Sequence, residues 1–236
     1  MERSFNDIEY NYKYIEERIA EAALRSGRKR EDITFLAATK TVEPEYINYA
    51  ISLGLDHIGE NRVQELLAKY EQYDLEHCSL QFIGHLQSNK VRQIVGKVDL
   101  IQSVDSVKLA KEVSRVSEKN GIASNILIEV NIGGEENKSG ISPDRLEELL
   151  GEVSVLPSVK VCGLMTIPPI CEEKSIIRKY FSEMRNIFLD ISAKNIDNVS
   201  MDILSMGMSS DYCEAILEGA NMVRIGSALF GNRVYK

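Results

Sequence analysis

The run TFLAATK, residues 34–40, places Thr34, Leu36, Ala38 and Lys40 on one face of a strand and ends that face on an amine. A second run, MVRIGS at 222–227, puts Arg224 and Gly226 on one face and opens onto Ser227. Between them lie six more short β-rich runs: HIGEN (57–61), LQFIG (80–84), LIQSV (100–104), NILIEVN (125–131), VCGLMT (161–166) and ILSMG (203–207). A helical pattern follows each, clearest over 44–53, 63–73, 107–119, 143–155 and 175–193. Pro44 and Pro143 suit first-turn positions, where a missing N–H costs nothing. Asp211 with Glu214 reads as a capping pair for the helix after the seventh strand. A leading helix, roughly 7–25, precedes the first strand.

Strict β-then-α alternation demands a parallel sheet, and eight units without a long polar linker favour closure into a (β/α)8 TIM barrel. An open doubly wound sheet is the alternative. Residues 1–236 are expected to form one domain, with chemistry at the C-terminal ends of the strands in either architecture.

Composition narrows the function classes. Hydrophobic residues make up 44% and charged residues 27%, as in ordinary globular proteins. The net charge of −8 opposes binding to nucleic acid or anionic membrane, and the one basic run, RSGRKR at 25–30, reads as a solvated helix end. No apolar run has bilayer length, and the acidic start MERSFNDIEY is unlike a signal peptide, so a cytoplasmic protein is expected. Cys78, Cys162, Cys171 and Cys213 show no metal-ligand spacing and read as reduced thiols.

Lys40 is the first chemical candidate. A solvated lysine titrates near ~10.4, and partial desolvation lowers that value and supplies the neutral amine that attacks an aldehyde. A lysine that merely extends past the strand end is the bland alternative. Gly226 and Ser227 offer close backbone approach, an N–H and a hydroxyl at the end of strand eight, where this fold recurrently holds phosphate. A glycine that simply ends the strand is the competing reading. LSMGMSSD adds Ser205, the better phosphate candidate, then Ser209 and Ser210, of which one is expected to cap the next helix. Arg224, a charge in an apolar strand, needs either a structural partner or a ligand. Facing a pyridine nitrogen, it would keep that nitrogen unprotonated and weaken the ring as an electron sink.

Other strand ends are polar without being diagnostic: Glu60, Asn61, His85, Ser103 and Asn131. GGEENKSG (133–140) is either a lid or a solvated loop. No Ser/His/Asp set can be placed around His85, which disfavours hydrolase chemistry.

Lys40, GENRVQE (59–65), FIGHLQSNK (82–90), VNIGGEENKSG (130–140), GLMTIPP (163–169), LSMGMSSDY (204–212) and VRIGSALFG (223–231) together carry a resemblance. In order, and over essentially the whole chain, they resemble the pyridoxal 5′-phosphate (PLP) homeostasis proteins, once called proline synthase co-transcribed homologues. Gln81 and Ser227 depart from residues common there, a histidine and a threonine. The resemblance implies the alanine racemase N-terminal barrel, PLP fold type III, with PLP bound on Lys40. It also implies phosphate contacts from Ser205, Gly226 and Ser227, with Arg224 near the pyridine nitrogen. Asn61 is counted with these contacts, and Lys138 is a weaker side candidate.

Three functions follow as expectations. The first is a PLP-binding protein without catalytic activity that buffers or delivers PLP through a reversible Schiff base on Lys40. The second is a low-activity PLP-dependent amino-acid racemase, which needs two bases. Only five residues follow Gly231, so no second domain is expected to supply the other base. The third is a phosphate-sugar barrel enzyme with Lys40 bonded to substrate. Expected partners are PLP and PLP-dependent apoenzymes, without nucleic acid or membrane, and the chain is expected to be monomeric.

Overall fold

The eight predicted strands form and close on one another. The computed structural model describes residues 3–171 and 173–231. Strands β1 (Thr34–Ala38), β2 (His57–Glu60), β3 (Ser79–Phe82), β4 (Leu100–Val104), β5 (Ser124–Val130), β6 (Val159–Thr166), β7 (Val199–Ser205) and β8 (Met222–Ile225) pair in chain order. The last returns to the first, from Thr34 opposite Met222 to Ala37 opposite Ile225, and every pairing is parallel. The alternating β/α pattern thus ends in a closed barrel, not an open sheet.

Period-two alternation divides the side chains between two cores. Leu36, Leu100, Leu127, Cys162, Met165 and Met222 fill the barrel. Phe35 and Ala37, their neighbours on β1, face outward into the larger core under the helices. Those helices are α2 (Pro44–Ser52), α3 (Val63–Lys69), α4 (Val91–Ile94), α5 (Val107–Lys119), α6 (Leu146–Ser154), α7 (Lys174–Ala193), α8 (Tyr212–Leu217) and α9 (Ser227–Phe230). Pro44 occupies the first turn of α2, and Pro143 opens a 3-10 turn leading into α6.

The leading helix α1 (Phe5–Arg25) has a structural reason to exist. Helices α8 and α9 have only six and four residues, too short to cover the strands behind them. Packed against both, α1 buries Ile8, Ile15 and Ile19, each contributing about 1.5–3 kcal/mol over an exposed position. Its start is capped by the Ser4 hydroxyl, which accepts the Asp7 N–H.

Several local expectations are corrected. Strand β1 ends at Ala38, because the chain turns at Thr41, whose φ of 61° lies in the left-handed region. Strand β7 begins at Val199, earlier than its apolar end reveals, since its first residues are mixed and partly exposed. Asp211 and Glu214 do not form a capping pair. The Asp211 carboxylate accepts the Met208 N–H at 2.6 Å and closes the preceding turn, while Glu214 pairs with Lys174 at 2.5 Å. The basic run at 25–30 is not simply solvated. Arg28 donates to the carbonyls of Ile216 and Ala220 at the end of α8, and Arg30 grips Glu16 with two nitrogens.

Candidate functional site

A cavity of about 860 Å³ opens at the C-terminal mouth of the barrel. Lys40, Asn61, Arg224, Gly226 and Ser227 all line it, although they come from strands at both ends of the chain. Leu36 points into the barrel, Ala38 reaches the cavity wall, and Lys40 follows on the same parity.

Arg224 is 4% exposed and bound from below. Its guanidinium donates to the Ser205 hydroxyl at 2.6 Å and to the Thr166 carbonyl at 2.9 Å. Ser205 donates in turn to Gln102 Oε1 at 2.7 Å, and Gln102 donates to Gln81 Oε1 at 2.6 Å. Burial lowers the Arg224 pKa to about 10, against the opposing pull of Glu129 and Asp211, and leaves the guanidinium charged at neutral pH. Ser205, expected at a phosphate, is fully buried and absent from the cavity wall, and it supports Arg224 from below.

Ser209, and not Ser205, reaches the cavity wall. Its hydroxyl oxygen accepts the N–H groups of Gly226 and Ala228 at 3.1 and 3.2 Å, while Ser209 and Ser210 both line the cavity. Neither serine acts as the helix cap expected of it, since Asp211 occupies that position. Two backbone donors thus fix the Ser209 hydroxyl at the cavity wall, beside Gly226 and Ser227.

Asn61 and Thr41 bring orphaned polarity to the same wall. Asn61 Oδ1 and Thr41 Oγ1 are buried without a hydrogen-bond partner, a costly state unless a ligand supplies one. Gly84 permits Asn61 to sit there, because a Cβ on Gly84 would lie 2.1 Å from the Asn61 carbonyl oxygen.

Glu129, on β5, is the functional candidate that the sequence reading passed over. It is 6% exposed, lines the cavity, and has its pKa pushed up to about 7, chiefly by burial and further by Asp105, against the pull of Arg224. A signal was available, since Glu129 shares parity with Leu127, a barrel-filling residue. An acid on the inward face of an apolar strand points into the barrel or its mouth.

The loop at 133–140 lies along the rim, with Asn137, Lys138 and Ser139 on the cavity wall. The Lys138 amine pairs with Glu135 and donates to the Pro168 carbonyl at 3.3 Å. Ser139 and Asp105 both approach His85, but at the same nitrogen: Oγ lies 3.3 Å and Oδ2 3.6 Å from Nδ1. A hydrolytic triad needs its serine and its acid on opposite ring nitrogens, so this cluster is no triad.

The family described as alanine racemase, N-terminal domain, matches residues 7–234. A protein of Aquifex aeolicus named pyridoxal phosphate homeostasis protein is 48% identical, over 93% of this chain and 95% of its own. The chain belongs to the pyridoxal phosphate homeostasis protein family. Among solved structures, an unknown protein from Bifidobacterium adolescentis superposes with a TM-score of 0.92 at 36% identity, covering 96% of this chain and 95% of that one. PipY of Synechococcus elongatus, solved with PLP bound, gives 0.79 at 33% identity, covering 92% of this chain and all of PipY. Membership carries the alanine racemase-like barrel with it, in agreement with the closed eight-stranded sheet. Relatives in this family are named for homeostasis and not for a reaction. No helix among the described residues is long and apolar enough to cross a membrane.

Proposed function

We propose that this chain binds PLP on Lys40 and serves PLP homeostasis by buffering or delivering the cofactor, without a catalytic reaction of its own. The convergence of Lys40, Arg224 and the Ser209–Gly226–Ala228 cluster at one cavity carries the reading. The cavity has the volume of small-molecule sites, and its features match PLP group by group. The Ser209 and Ser227 hydroxyls suit a phosphate, buried Arg224 suits a neutral ring nitrogen, the Asn61 amide suits a ring hydroxyl, and Lys40 suits an aldehyde. When bound, PLP would supply that aldehyde, and Lys40 is the amine that would hold it through a reversible, redox-neutral condensation.

Arg224 disfavours chemistry that needs a strong electron sink. A guanidinium has no lone pair to accept a ring N–H, whereas a carboxylate there would hold the proton that makes PLP a strong electron sink. Residues 1–236 would then act as one barrel domain, monomeric and cytoplasmic, exchanging PLP with PLP-dependent apoenzymes.

Glu129 favours a second reading, a slow amino-acid racemase, because its carboxyl titrates near neutrality inside the cavity. Borohydride reduction of the PLP-loaded protein followed by peptide mass mapping tests the first reading. The label is expected on Lys40, and Lys40→Ala is expected to lose the visible absorbance of the adduct. Attachment chiefly at another lysine overturns the site. Sustained α-proton exchange of amino acids in deuterium oxide overturns the carrier reading and supports the racemase.

A further inference from the structure

Behind Lys40 lies a charged cluster built around fully buried Glu60, with Glu65 and Lys69 half-buried, none of whose members lines the cavity. Ala38 pairs with Gly59 across β1 and β2, so one step further sets Thr39 beside Glu60, and two steps set Lys40 beside Asn61. Lys40 and Asn61 take the cavity parity, while Thr39 and Glu60 share the outward parity of Ala37 and Ile58.

On that outer side, fully buried Glu60 accepts at one oxygen from the Thr39 hydroxyl at 2.8 Å, Lys69 Nζ at 3.0 Å and the Tyr73 hydroxyl at 2.7 Å. Lys69, on α3, also donates to the Thr39 carbonyl at 3.1 Å and to Glu65 at 2.6 Å. Glu65 completes the set by accepting the Thr41 N–H. Both neighbours of Lys40 are therefore held: Thr39 by its hydroxyl and its carbonyl, Thr41 by its amide. Each bond ends on a side chain of the cluster, so the turn is tied to Glu60, Glu65 and Lys69 from both sides of Lys40.

Stability alone does not account for this arrangement. Apolar packing of similar volume would serve a barrel–helix interface as well or better than buried charges, which lose much of their attraction to desolvation. What the cluster does that apolar packing would not is fix a backbone conformation. Thr41, a β-branched residue at φ 61°, occupies a region that such residues avoid, and it stays there only if its surroundings hold it.

We infer that Glu60, Glu65 and Lys69 are positioning residues that hold the 39–41 turn in one conformation, and so set where the Lys40 amine sits and how long PLP remains on it. This rests on the assignment of PLP to Lys40.

The test uses PLP-loaded full-length protein. Semicarbazide traps departing cofactor, so the decay of the adduct absorbance gives the rate of loss, and the induced circular dichroism of the same band reports a fixed orientation. Lys69→Met is expected to speed the loss about tenfold, as removal of charge-assisted bonds allows, and to weaken the dichroic band well below the melting temperature. A purely structural role would lower the melting temperature and leave both readouts unchanged, and that result overturns the inference. If Lys69→Met does not fold, Glu65→Gln and Thr39→Val decide by the same readouts, with the same outcome overturning it. Lys40→Ala separates the two levels. Retention of the PLP band there refutes the Lys40 reading itself, whereas its loss, with parental behaviour of the cluster variants, refutes positioning alone.

Discussion

The Arg224 guanidinium donates to the Ser205 hydroxyl at 2.6 Å, and that hydroxyl donates in turn to Gln102, so the serine orients the arginine from inside the barrel. The cavity thereby receives a charge whose direction is set by residues that do not line it. Strand order explains how this is possible. Ser205 and Arg224 belong to β7 and β8, while Gln102 comes from β4 on the far side of the barrel.

Ser205→Ala is expected to destabilise the protein by about 1–3 kcal/mol, because it strands a buried guanidinium N–H and frees Gln102 of its donor. The penalty should appear in the PLP-free protein at full size, as measured by urea denaturation with and without PLP. A penalty confined to the PLP-loaded protein would mean that the hydroxyl touches the ligand after all.

Glu129 should make stability depend on pH in a defined window. Its folded pKa of about 7 lies above the model-compound value of 4.5, so the folded state favours the neutral acid. Ionisation therefore opposes folding. The cost is absent below pH 4.5, grows as pH rises, and is complete above about 7. The shift corresponds to about 3 kcal/mol at most. Glu129→Gln, which stays neutral, is expected to flatten this loss, and denaturation midpoints of both proteins between those limits provide the check. Parallel curves would show that Glu129 is ionised at an ordinary pKa.

Two glycines predict opposite outcomes for the same substitution. Gly84→Ala drives a Cβ into the Asn61 backbone and should cost about 1–3 kcal/mol or more, with weaker PLP binding as Asn61 is displaced. Gly151, within α6, has open space where its Cβ would go, so Gly151→Ala should stabilise by about 0.5–1 kcal/mol. Thermal melts and PLP titration of the pair test both. Equal effects would mean that Gly84 is not needed for the close approach.

The parts of the site that were legible in the sequence were those governed by local parity. TFLAATK places Lys40 on the face of Leu36, and MVRIGS places Arg224 on the face of Met222, because side chains alternate along any strand. Ser205 shows the limit of that rule. Parity put it at a strand end near the expected phosphate, but whether it met a ligand depended on what lay between it and the cavity, and Arg224 lies there. Ser209 reads as a helix cap because capping is a local habit of serine, yet its partners, Gly226 and Ala228, sit on the next strand–helix junction.

By itself the sequence determined the order of elements, their parallel pairing and the strand ends where chemistry would gather, since hydrophobic period and chain alternation act over a few residues at a time. Only the tertiary structure decided that β8 closes on β1 and brings Lys40 and Arg224 to one cavity. It alone decided that Ser209 and not Ser205 faces that cavity, that Glu129 is buried enough to titrate near neutrality, and that Glu60, Glu65 and Lys69 hold the turn at Lys40. Hydrogen bonds and desolvation depend on distances between residues far apart in the chain, and barrel closure is what sets those distances.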